Sequence, residues 1–130
     1  MALDRLFYIC AGVAGFIGVA FGAVATHAFK GRLTPETLAV FETGVRYQMY
    51  HTLALFAAAW GWTRWQHRAI AAAGILFVIG IVLFSGSIYL RVLANAEWAA
   101  AFAPMGGTSY LTGWLCLAVG AWRGSNAPGK

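Results

Sequence analysis

The stretch Ala69-Ile70-Ala71-Ala72-Ala73-Gly74-Ile75-Leu76-Phe77-Val78-Ile79-Gly80-Ile81-Val82-Leu83-Phe84-Ser85-Gly86-Ser87-Ile88-Tyr89-Leu90 contains no Asp, Glu, Lys or Arg, and Arg68 and Arg91 close its two ends. About 20 helical residues cross the hydrocarbon of a bilayer, so the stretch reads as a membrane span. Lipid offers no partner for a free peptide group, so the span must be a helix with its backbone bonded internally. The same reading applies upstream to Leu6–Phe29, which is also free of charged residues. It extends to the shorter apolar runs 47–63 and 106–122. The expected fold is an all-α membrane protein: a four-transmembrane-helix bundle, antiparallel and up-down, in a single domain over 1–130. A short interfacial helix is expected before the fourth span.

The composition agrees. Of the 130 residues 61% are hydrophobic and 10% charged, where a soluble domain carries about 25% charged residues. A chain this short has much surface for its volume, and surface this apolar suits lipid better than water. The net charge of +5 comes from nine Lys and Arg against four Asp and Glu. The basic residues lie between the apolar stretches and form no dense face. They read as helix flanks and not as a nucleic-acid surface. Cys10 and Cys116 belong to no C-x-x-C pair and read as small buried hydrophobes. Residues 1–25 mimic a signal peptide, with Ala23-Val24-Ala25 as a cleavage-like triplet, but the uncharged run to Phe29 is long enough to span and is read as a helix of the fold.

In the first span Ala11, Gly15, Gly18, Gly22 and Ala25 fall on one helical face, a small-residue seam of the kind that lets helices approach closely in lipid. After a loop at 30–33, Thr34-Pro35-Glu36 has the order of a helix start: a cap, a proline at the first position, an acid near the positive dipole end. Glu42 and Arg46 are spaced for an intrahelical ion pair. Residues 63–68 form a short polar turn. Residues 92–105 make a connector longer than most helix–helix links, in which Asn95 is expected to cap the interfacial helix and Trp98 to sit at the lipid boundary. Pro104-Met105-Gly106-Gly107 reads as an ordinary turn before the last span, the alternative being a bend or exposed amides at a helix start. Ser109, Gly113, Cys116 and Gly120 give that span a second small-residue seam. The tail from Gly124 to Lys130 is expected to be flexible.

Four spans place Arg5, Arg64, Arg68, Arg123 and Lys130 on one side and Lys30, Arg32, Arg46 and Arg91 on the other, the latter with Glu36, Glu42 and Glu97. The basic excess near the short turn and the last helix end puts both termini in the cytoplasm. Trp60, Trp62, Trp65 and Trp122 then form an inner aromatic belt.

Polar groups at membrane depth are where function should lie, because they are costly there. They are His27; Tyr47, Gln48 and His51; Ser85, Ser87 and Tyr89; and Thr108, Ser109 and Thr112. In an up-down bundle all fall toward the outer half, which points to a shared polar layer. The first account of such a layer is a hydrogen-bond clasp fixing helix register, since buried polar atoms need partners. The sharper one is a binding pocket or proton path through His27 and His51. Two histidines are too few for a closed zinc site. H-E-x-x-H, G-x-S-x-G and P-loop signatures are absent. No metal, cofactor or enzymatic activity is expected.

Gly22-Ala23-Val24-Ala25-Thr26-His27, Tyr47-Gln48 with His51, Leu83-Phe84-Ser85-Gly86-Ser87 with Tyr89, and Pro104-Met105-Gly106-Gly107 followed by Gly113-Trp114 occur in this order. Together they resemble the YgdD/YwdK family of small bacterial inner-membrane proteins over nearly the whole chain. Val24 and Ala25 stand where Phe and Gly are expected, and Ala103 where Thr is usual. The resemblance implies a four-span inner-membrane protein and carries over His27, Tyr47, Gln48, His51, Ser85, Ser87 and Tyr89 as the polar layer. It assigns them no role, because the family is classed as a domain of unknown function with eukaryotic transmembrane relatives. The expected function is structural or accessory, packing through Gly15, Gly18, Gly22, Gly113 and Gly120 around the layer. The alternative is a small oligomeric transporter or channel using the layer as its site. The expected partners are the lipid bilayer and a homo-oligomer or larger membrane complex, not nucleic acid.

Overall fold

The computed structural model describes residues 2–125. Among them there is no strand, and the chain folds into four long helical rods. The first is α1 (Leu3–Val24), which runs on into a π-helical turn at Ala25–Phe29. The second is α2 (Pro35–Trp65). Its start follows the expected chemistry: Thr34 Oγ1 accepts from the Thr37 N–H at 3.2 Å, and Pro35 opens the helix. The polar stretch from residue 35 and the apolar stretch from residue 47 form one continuous helix, which Gln66 ends in a left-handed conformation, φ 47°.

The third rod is α3 (Arg68–Gly80), a π-helical turn (Ile81–Ser85) and α4 (Gly86–Ala94). His67 caps its start, Nδ1 accepting from the Ala69 N–H at 3.1 Å. Leu3–Phe29 and Arg68–Ala94 are the two helices among the described residues long and apolar enough to cross a membrane. The fourth rod, α5 (Ala103–Ser125), follows a short 3-10 helix at Glu97–Phe102.

Several expectations are corrected here. Asn95 does not start the short helix. It ends α4 in a left-handed conformation, φ 51°, and Ala96 precedes the 3-10 turn. Pro104 to Gly107 do not form a turn: they lie inside α5, which begins before Pro104. A proline in the first turn lacks only an N–H that has no helical partner anyway. Gly106 is where α5 meets the Phe84 backbone, an approach that any Cβ would block. Glu42 and Arg46 make no ion pair, and the salt bridge among the described residues is Arg91 Nε to Glu97 Oε2 at 2.9 Å. Gly124 is helical, and 126–130, with Lys130, lie outside the described residues.

Helix α1 packs along α2, α5 along α3, and α2 also meets α3, α4 and the π turn between them. Both small-residue seams pack against neighbouring helices of the same chain, with Gly18, Gly113 and Gly120 buried and Gly15 and Gly22 half-buried. Gly15, Gly18 and Gly22 face Thr52, Met49 and Val45 of α2, while Gly113 and Gly120 face Phe77 and Ile70 of α3. The core gathers Phe7, Ala11, Leu55, Phe77 and Tyr110, with a second cluster of Ala25, Phe41, Ile88 and Tyr89 near the 30–34 loop. The outward faces are apolar as well: Phe16 is 77% exposed, Leu111 70% and Leu115 69%. An exterior of that kind is at home in hydrocarbon.

Candidate functional site

The polar layer is built from the middle of α2 outward. Gln48 is buried, and both ends of its amide are bonded across helices. Nε2 donates to the Ala14 carbonyl of α1 at 2.7 Å, and Oε1 accepts from the Tyr89 hydroxyl of α4 at 2.7 Å. One turn earlier, Ser85 Oγ donates to the Gly44 carbonyl of α2 at 2.7 Å. Gly44 is packed so closely by Ile88 and Tyr89 that a Cβ would lie 3.0 Å from Ile88 Cγ2. The π turn ending at Ser85 sets this geometry. It sets buried Ser85 five positions after buried Gly80, where a regular helix repeats near every 3.6.

His51 lies a turn further along α2 and is buried. Nδ1 is 2.6 Å from the Tyr47 carbonyl, and Trp114 Nε1 of α5 donates to Nε2 at 3.2 Å. The Tyr110 ring stacks on the imidazole, with centroids 3.3 Å apart and planes 7° from parallel. The Tyr110 ring also fills the space over Gly80. Its hydroxyl is buried near Ser85 and has no hydrogen-bond partner. Tyr47, Tyr50, His51, Gly107, Tyr110, Leu111 and Trp114 line a cleft of about 500 Å³ between α2 and α5. A fifth interhelical bond, Ser109 Oγ to the Leu76 carbonyl at 2.7 Å, ties α5 to α3.

The structure thus brings together Gln48, His51, Ser85 and Tyr89, with Tyr47 at the rim, 40% exposed. Ser87 is buried but bonds within its own helix, to the Phe84 carbonyl at 2.8 Å. Thr108 and Thr112 are exposed and bond back to the carbonyls of Pro104 and Thr108, each at 2.9 Å. Such back-bonding lets a hydroxyl sit in an apolar surrounding without a partner helix. His27 does not join the layer. It is exposed on the π turn after α1, away from the Gln48 and His51 groups. Tyr110 and Trp114 are the residues that the polar-layer reading lacks. Their signal is an aromatic pair four apart on a helix, with Gly113 between them opening the same face. Among the described residues no three His, Cys, Asp or Glu side chains gather as a metal site would require.

Residues 21–107 match the family described as "Protein of unknown function (DUF423)". The chain is 33% identical to the UPF0382 membrane protein YwdK of Bacillus subtilis, over 90% of this chain and 96% of that one. It is 35% identical to the UPF0382 inner membrane protein YgdD of Escherichia coli K12, over 92% of each chain. It is 36% identical to a UPF0382 membrane protein of Haemophilus influenzae, over 85% of this chain and 89% of that one. No solved structure matches.

Proposed function

The chain belongs to the DUF423 family, and from that premise we propose that it is a structural or accessory protein of the bacterial inner membrane, crossing it four times with both termini in the cytoplasm. In this reading the polar layer is a clasp that fixes the register of the four rods, and the chain catalyses no reaction. One observation carries it. Four buried polar side chains bond to one another and to the main chain of neighbouring helices: Tyr89 to Gln48, Gln48 to Ala14, Ser85 to Gly44, Ser109 to Leu76. Residues that formed a transport site would keep donors and acceptors turned toward a path.

The four-span topology draws support from the length of α2 and α5 and from their apolar outward faces, although both carry more polar residues than the other two rods. Trp60 and Trp65 at the end of α2 meet edge to face at 5.4 Å, and Trp65 also packs against Gly124 near the end of α5. Two of the belt's tryptophans therefore meet beside the end of α5, which supports reading that end as an interface. Because both glycine seams are filled from within the chain, any homo-oligomer or larger complex would form through the outer apolar faces.

Reporter fusions test the topology. A periplasm-dependent reporter should be active when placed at Gly31 or Asn95 and inactive at Gln66 or after the last residue. The clasp is tested by Gln48→Leu in detergent. It should lower the melting temperature, whereas a protein that kept its stability and lost a cellular phenotype would speak for the transporter reading.

A further inference from the structure

A neutral imidazole has one N–H and one lone pair, and its cation has two N–H groups and no lone pair. The Tyr47 carbonyl can only accept, so it requires a proton on Nδ1 of His51. The Trp114 indole can only donate, so it requires the lone pair on Nε2. Both bonds are satisfied by one form alone, the neutral Nδ1–H tautomer. We propose that His51 is a proton-binding site at membrane depth, and that a proton taken up on Nε2 releases Trp114 and unlatches α5 from α2 along the cleft between them.

The step balances simply. The Nε2 lone pair that had accepted from Trp114 forms the new N–H bond, the Trp114 N–H···N hydrogen bond is lost, and the site gains one positive charge. Two N–H groups then face each other across what was a 3.2 Å bond. The surroundings allow the indole to leave and the charge to stay. Trp114 is 46% exposed, so its ring can swing outward without opening the core. The Tyr110 ring lies flat against the imidazole, and its π face is a favourable neighbour for a cation. In the proposal the proton comes from the aqueous phase and reaches Nε2 along the cleft.

Among the described residues no carboxylate, lysine or arginine lines this cleft. The titratable groups around it are the phenols of Tyr47 and Tyr50 from α2 and Tyr110 from α5. Beyond Tyr110 lies Tyr89 of α4, held by Gln48. The thiols of Cys10 on α1 and Cys116 on α5 pack against the core cluster that includes Phe77 and Tyr110, and α3 contributes the non-titrating ring of Phe77. Protonated phenols and thiols are neutral and gain no charge on acidification, so His51 is the group of this set that becomes a cation.

The test uses the full chain, labelled with ¹⁵N at His and Trp, in nanodiscs of phosphatidylethanolamine and phosphatidylglycerol. At about pH 8 His51 should give the Nδ1–H signature, while an exposed histidine favours Nε2–H. Between about pH 8 and pH 4, a window around the ordinary imidazole value of about 6.5, the His51 cation should appear, and the Trp114 indole resonance should move from its bonded position with the same midpoint. Trp114→Phe should keep the Nδ1–H form at high pH, because the Tyr47 carbonyl still requires it, and should raise the His51 midpoint, because no bond to Nε2 is broken on protonation. His51→Gln should leave the Trp114 resonance without that midpoint. Three results would each overturn the proposal: an Nε2–H His51 in the native chain at high pH, a His51 that stays neutral throughout, or a Trp114 resonance indifferent to His51 titration. If His51→Gln does not fold, the His51 midpoint in Trp114→Phe still decides: a midpoint unchanged from the native chain would overturn the proposal.

Discussion

Tyr89 and Gln48 share one hydrogen bond, 2.7 Å from hydroxyl to amide oxygen, and through it α4 controls the side chain that also holds α1. Tyr89 fixes the amide so that Nε2 points at Ala14, and the T-shaped contact of Tyr89 with Phe21, centroids 4.6 Å apart, fixes Tyr89.

Removing the Tyr89 hydroxyl should therefore cost more than the bond itself is worth. Tyr89→Phe leaves Gln48 Oε1 buried and unpaired, at about 1–2 kcal/mol, and Gln48→Leu should cost a similar amount. The double variant should lose less than the sum, because it leaves no orphan behind. Thermal melts in detergent of the two single variants and the double measure this. Strict additivity would mean that the two side chains act separately.

Glycine variants should separate by what their new methyl would meet. At Gly18 it meets the thioether of Met49, which can rotate away, so Gly18→Ala should cost under about 1 kcal/mol. At Gly120 it meets Ile70 Cδ1 at 2.6 Å and the Ile70 backbone nitrogen at 2.9 Å. A backbone cannot rotate away, so Gly120→Ala should cost about 1–3 kcal/mol as α5 moves off α3. Paired thermal melts check the order.

His51→Leu should leave the protein inserted in the membrane and lower its thermal stability in detergent by about 1 kcal/mol. The indole N–H of Trp114 loses its acceptor, but its half-exposed position lets it turn outward. Membrane fractionation and a melt distinguish failed insertion from a loosened bundle.

Glu97→Gln should change almost nothing. The Arg91–Glu97 pair is the salt bridge of the described chain, yet the two side chains are 43% and 74% exposed. An exposed ion pair contributes about 0–1 kcal/mol, so the melting temperature should stay within the error of the measurement at moderate salt.

The rods, the start of α2 at Thr34-Pro35 and both small-residue seams were legible in the sequence, because each depends on residues near one another along one helix. What depended on two helices was legible only in part. Gln48, His51, Ser85 and Tyr89 stood out as polar groups in apolar runs. The acceptors of Gln48, Ser85 and His51 are main-chain oxygens of Ala14, Gly44 and Tyr47, and a carbonyl carries no mark in the sequence. His27 looked equivalent to His51 by depth, but depth does not say whether a face turns inward. The π turn at Ile81–Ser85 was hidden for a related reason. One added residue rotates everything after it by about 100°, and tertiary packing selects that turn. Reading Pro104 to Gly107 as a turn failed because proline and two glycines usually signal one, while here Gly106 is small so that α5 can lie on the Phe84 backbone.

The acceptors at Ala14, Gly44 and Leu76 have a consequence for how the molecule can change over generations. A peptide oxygen survives every codon substitution, so mutations at these three sites can alter bulk but cannot delete the group that receives the proton. Only the donor half of each contact is exposed to genetic loss, and drift at the receiving positions is limited by steric room alone.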